Sequence, residues 1–128
     1  MPRAKAIVIR VEDRPGMLGE IASALGAKNV SLRAVHGSNE GGQGVVRLVV
    51  DKLALAKRIL AAQGWRPEEE EILRVELADE PGALGEVAKL LGHARVNIEY
   101  VFASTAGGRK ATAYLAVSDM GAALKALR

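Results

Sequence analysis

The stretch DRPGMLGEIASALG, from Asp13 to Gly26, returns 66 residues later as DEPGALGEVAKLLG, from Asp79 to Gly92. An internal repeat constrains a fold more than any local propensity, because each copy must take the same structure. At this offset Ile7, Ile9 and Val11 fall on Leu73, Val75 and Leu77, and Leu18, Ile21, Ala22 and Leu25 fall on Leu84, Val87, Ala88 and Leu91. Val30 and Leu32 fall on Val96 and Ile98; after one inserted residue, Leu53, Ala56 and Leu60 match Met120, Ala123 and Leu127.

Within each copy the hydrophobic period changes in a readable order. Ile7, Ile9 and Val11 alternate as in a strand, and Leu18, Ile21, Ala22 and Leu25 take helical spacing, with Gly26 placed to end the helix. Two β-branched runs follow, joined by SNEGGQ, whose Asn39, Gly41 and Gly42 supply hairpin chemistry. Asp51 is placed to cap a second helix over Lys52 to Gln63, Gly64 to end it, and WRPEEEEILRVELA reads as extended. The order is β-α-β-β-α-β, which predicts an α+β chain of two tandem ferredoxin-like units, residues 1–70 and 71–128. Pro67 points to an edge position for the fourth strand of the first unit, which then runs directly into the second unit near Ile72. The second unit lacks its last strand, since the chain ends with the helix predicted over Met120 to Arg128. Its first strand is left with an open side, and another segment or another chain is expected to cover it.

Composition narrows the classes of function. A chain of 128 residues without cysteine has neither a disulfide framework nor a thiolate metal site. No apolar run reaches the roughly 20 residues of a membrane span and the N-terminus reads poorly as a signal peptide, so the cytoplasm is the expected location. Residues 1–66 carry 11 Lys/Arg against 5 Asp/Glu, and residues 67–128 carry 7 against 10. Opposite net charges fit halves that dock on each other or on a second copy, as well as an anionic partner.

The repeated turn has two readings. As punctuation, Asp13 and Asp79 cap their helices and the Pro-Gly pair begins them. As a site, the N–H groups of Gly16, Met17 and Leu18 offer donors to a carboxylate, while Asp13 or Asp79 accepts from an ammonium group. A free amino acid carries both charges.

VEDRPGMLGEIASAL followed by NVSL, and VELADEPGALGEVAKLL followed by VNIEYVFA, resemble the ACT domains, small regulatory modules that bind amino acids. The resemblance covers nearly the whole chain as two tandem copies, and such a stand-alone pair resembles the free-standing amino-acid-binding members of that family. It implies a ligand where the first loop of one domain meets the second strand of a neighbour. The implied site residues are Asp79, Glu80, Gly82, Ala83, Leu84, Asn97 and Ile98 in the second copy, and Asp13, Arg14, Gly16, Met17, Leu18 and Ser31 in the first. Ser31 departs from the family's usual asparagine, which Asn97 keeps. The implied activity is non-catalytic and allosteric, in a homodimer, with a free amino acid as ligand and no cofactor or metal. A structural subunit that regulates a separate enzyme without any small ligand is the alternative.

Other readings have less support. RNA-binding folds of this topology stack bases on aromatic residues of the central strands, but AIVIRVE and GVVRLVV contain none, so no nucleic-acid partner is expected. His36 and His93 stand without further ligands at metal or triad spacing. GSNEGGQG lacks the ending of a phosphate loop, and Glu68 to Glu71 read as a solvated run that protects a strand edge. Tyr100 and Phe102 read as packing on a sheet face.

Overall fold

The computed structural model describes residues 2–128, which divide into two compact units, Lys5–Glu70 and residues 2–4 with Glu71–Arg128. In the first unit β1 (Arg3–Val11) leads to α1 (Met17–Gly26), then β2 (Leu32–Glu40), β3 (Gln43–Val50) and α2 (Leu53–Ala62). The strands lie in the order β2-β3-β1, all antiparallel. Ile7 pairs with Leu48 and Ile9 with Val46, so strand alternation places all four on one face. There they meet Met17, Ile21 and Leu25 of α1 and Ala56 and Leu60 of α2. Each fully buried Leu or Ile contributes about 1.5–3 kcal/mol of transfer free energy, and this cluster dominates the unit.

The sequence places Leu18 on the buried stripe of α1, but its side chain is 49% exposed, and Met17 takes the inward position instead, at spacing i, i+4, i+8 with Ile21 and Leu25. The hairpin between β2 and β3 turns on Gly41 (φ 64°) and Gly42 (φ 84°), the two positive angles that a tight hairpin of matching twist demands. Gly64, at φ 94°, follows α2 as expected. Gly26 does not take the left-handed role after α1; Asn29 does, at φ 59°, and Arg95 repeats it 66 residues on at φ 60°. Asp51 is not a helix cap: α2 opens at Lys52 without a side-chain cap, and the Asp51 carboxylate accepts from the Ser31 N–H at 2.9 Å.

In the second unit β4 (Glu68–Ala78) is followed by α3 (Ala83–His93), β5 (Ile98–Thr105), β6 (Lys110–Val117) and the short α4 (Met120–Ala126). The strand order is β4-β6-β5. Leu73, Leu91, Val96, Ala113, Leu115 and Ala123 form its core, the repeat equivalents of residues in the first core. Asp119 caps α4 by accepting from the Ala122 N–H at 3.0 Å. Tyr100, Phe102 and Tyr114 stack on the sheet, with ring centroids 6.0 and 5.3 Å apart.

The open side of the second unit is covered by this chain's own N-terminus. The Pro2 carbonyl accepts from the Arg74 N–H at 2.6 Å, and Arg3 forms an ion pair with Glu71. The first unit is completed in the reciprocal way by the opening residues of β4, where Lys5 and Lys57 meet Glu69 and Arg10 meets Glu68. Pro67 stands just before this strand begins, so its missing N–H falls outside the ladder. Lys57 donates to Glu69 and holds its carboxyl below the ordinary range.

Candidate functional site

Each Asp-x-Pro-Gly turn is built by the same backbone device. Gly16 and Gly82 occupy the position before their helices with φ 87° in both, a left-handed conformation that side chains rarely adopt. Nothing lies within 4 Å of a Cβ added at either glycine, so the requirement is conformational rather than spatial. Pro15 and Pro81 precede this glycine and therefore stand outside the helix, not at its first residue. Neither helix has a side-chain cap. The Met17 N–H donates to the Arg14 carbonyl and the Ala83 N–H to the Glu80 carbonyl, each at 3.3 Å, which removes one donor from each helix opening.

The aspartates do something else. Asp13 accepts from the Asn39 amide at 2.6 Å, and Asn39 in turn accepts from the Gly42 N–H at 3.1 Å. Asp79 accepts from the Thr105 hydroxyl at 2.8 Å, and Thr105 accepts from the Gly107 N–H at 3.2 Å. In both units the aspartate latches the turn to the tip of the neighbouring hairpin, once through an amide and once through a hydroxyl. The second latch has an additional strand, since the Asp79 N–H donates to the Arg109 carbonyl at 2.9 Å.

An open pocket of about 240 Å³ lies beside the second turn. Leu77, Ala78, Asp79 and Glu80 lead into it, Ala83 and Leu84 form the helix side, and Ala103, Ser104, Thr105 and Ala111 form the hairpin side. Of the residues singled out in the sequence, Asp79, Glu80, Ala83 and Leu84 come together here, and Gly82 shapes the backbone between them. Asn97 and Ile98 lie elsewhere in the unit: the Asn97 N–H donates to the Ser118 hydroxyl at 2.9 Å, and Ile98 packs against the core. The hairpin residues escaped the sequence reading. The repeat register aligns Thr105 with Asn39, but no local signal shows that the hairpin tip returns to the turn.

In the first unit the candidate residues are disposed differently. Met17 is a core side chain, 8% exposed. Arg14 pairs with Glu20 at 2.6 Å and approaches Glu12 at 3.7 Å, while Leu18 faces outward. Ser31 clasps Asp51 through both backbone groups, as Asn97 clasps Ser118 in the second unit.

Among the described residues no cluster of three or more His, Asp or Glu could hold a metal ion, and no helix is long and apolar enough to cross a membrane. Comparison with solved structures finds a protein from Bacteroides thetaiotaomicron with a TM-score of 0.91 at 24% identity, covering 98% of this chain and 87% of that one. The ligand-free regulatory subunit of aspartate kinase from Thermus thermophilus follows at 0.69 and 16% identity, covering 99% and 91%. The corresponding subunit from Thermus flavus gives 0.66 at 18% identity, covering 99% and 91%. A search of curated protein sequences finds no match. The ACT domain model matches residues 5–60 and again 72–126, one copy on each repeat, and the chain therefore belongs to the ACT domain family.

Proposed function

We propose that this protein is a non-catalytic regulatory module that binds a free amino acid at the turn of its second repeat. The observation that carries this reading is the pocket between the Asp79–Leu84 segment and the β5–β6 hairpin. Its volume is below the roughly 300 Å³ at which pockets for drug-sized ligands begin, which suits a ligand of a few heavy atoms. The Asp79 and Glu80 carboxylates offer acceptors to an α-ammonium group, and the Ser104 hydroxyl can donate to an α-carboxylate while the Thr105 hydroxyl stays on Asp79. The pocket is open on one side. A second copy of the chain, bringing its Asn97 and Ile98 against that side, would close it in the way the family resemblance implies, and a homodimer is therefore part of the proposal. Binding then stabilises one arrangement of the dimer by its difference in affinity for the two states. The output is passed to a separate enzyme, as the names of the two Thermus regulatory subunits of aspartate kinase describe for those proteins.

The test is thermal unfolding of the purified protein against each common amino acid at millimolar concentration. A ligand at 100 times its Kd adds about 2.7 kcal/mol of stability, a shift of several degrees for a domain of this size. No shift from any amino acid, with a cooperative transition in each case, removes this assignment in favour of an interaction subunit without a small ligand.

A further inference from the structure

The two repeats share a turn, but two residues that line the pocket in the second have counterparts of different size in the first. Position by position, Ala83 corresponds to Met17 and Ala111 to Gly44. Ala111 faces Leu77 across the β4–β6 ladder just as Gly44 faces Val11 across β1–β3. In the first unit a Cβ on Gly44 would stand 3.2 Å from both the Val11 carbonyl oxygen and its Cγ2, and 3.6 Å from the Asp13 Cα. The turn there lies directly on the glycine. Met17 then occupies the space behind it as part of the core. In the second unit Ala111 carries a methyl group where Gly44 has none, and Ala83, with a single side-chain carbon, borders the pocket where Met17 reaches into the core.

Resting on the function proposed above, we infer that the chain has one ligand site rather than two, and that this site selects a small amino acid with an aliphatic or hydroxyl side chain. Six of its ten lining residues are Ala or Leu, and none is aromatic or cationic. An acidic ligand side chain would meet Asp79 and Glu80 without a compensating cation. A basic one would need a further carboxylate: one of the two present already accepts from Thr105, and the pair serves the ligand's α-ammonium group. A bulky aromatic side chain would find no aromatic partner in this lining. Ala83 and Ala111 line it where the first unit has Met17 and Gly44, and Ala103 lines its hairpin side.

The experiment is isothermal titration of the full chain with glycine, alanine, serine, threonine, valine, phenylalanine, lysine and aspartate, in the wild type and in Ala83→Met, Ala103→Leu and Met17→Ala. The inference expects one equivalent per chain, restricted to the small neutral amino acids, with affinity lowered at least tenfold by Ala83→Met and by Ala103→Leu and unchanged by Met17→Ala. The two pocket variants act from opposite walls, so either remains informative if the other fails to fold by circular dichroism. Two equivalents per chain, preferred binding of phenylalanine, lysine or aspartate, or unchanged affinity in a folded pocket variant would overturn it while leaving the amino-acid sensor intact. Absence of any binding heat and of any unfolding shift overturns both.

Discussion

The turn at Asp13 and the turn at Asp79 use the same glycine angle and the same aspartate latch, yet one lies on a filled core and the other borders a pocket. Met17 is buried where Ala83 is only partly so, and Gly44 lies against the first turn where the second has Ala111. Duplicated backbones therefore need not remain duplicated sites. The loss of three heavy atoms at one helix position, and the gain of one at a strand position, separates a structural turn from a candidate binding turn. Charge follows the same division, since Arg14 is engaged with Glu20 in the first unit and Glu80 lines the pocket in the second.

This comparison can be strained from the core outward. Leu25 and Leu91 are equivalent and fully buried, so Leu25→Ala and Leu91→Ala should each cost about 2–5 kcal/mol, read as a lowered urea midpoint. A much smaller loss for Leu91→Ala would mean that the second core collapses more readily around the cavity. Gly16→Val and Gly82→Val force a β-branched residue into a left-handed conformation and should each destabilise by about 1–2 kcal/mol. Only Gly82→Val should also abolish the ligand-induced thermal shift, and loss of that shift in Gly16→Val would contradict the division of roles.

Smaller effects test the latches. Asn39→Ala and Thr105→Val each remove one partner of an exposed hydrogen bond and should cost about 0.5–1.5 kcal/mol in thermal unfolding. Thr105→Val should weaken ligand binding as well, because it frees the Asp79 carboxylate to move; Asn39→Ala should not. The smallest effect is electrostatic. Arg47, buried beside β2, donates to Glu40 at 2.9 Å, and this bond, followed by one from Ser38, holds the Glu40 carboxyl below its ordinary value of 4.5. A carboxylate depressed in the folded state stabilises above its unfolded value and loses that contribution as pH falls through the folded one. Unfolding profiles between neutral pH and acid should accordingly show a slightly shallower loss of stability for Glu40→Gln than for the wild type, the difference appearing below about 4.5. Parallel profiles would show that solvent screening at the exposed Glu40 leaves this pair without effect.

Much of the fold was legible from Ile7, Ile9 and Val11 and from their partners Leu73, Val75 and Leu77, because residues that alternate along a strand share the face on which the helices pack. Helix faces were less legible. Met17 and Leu18 are adjacent and both apolar, and the entry angle of the turn, not hydrophobicity, decides which one turns inward. Cap assignments at Asp13, Asp51 and Asp79 failed for a related reason: a short carboxylate serves whichever N–H, amide or hydroxyl group comes within reach, and here those groups belong to segments distant in the chain.

The sequence by itself determined the repeat, the order of elements, the two glycine-dependent turns and membership of the ACT domain family, because hydrophobic period and positive φ are local requirements that residue types express directly. Tertiary structure alone decided that residues 2–4 cover the open side of the second unit, that Thr105 and Asn39 hold the turns, and that Ala83 and Ala111 border an open pocket. These depend on which segments meet after the chain has folded back, and on the space their side chains leave, which no single stretch of sequence encodes.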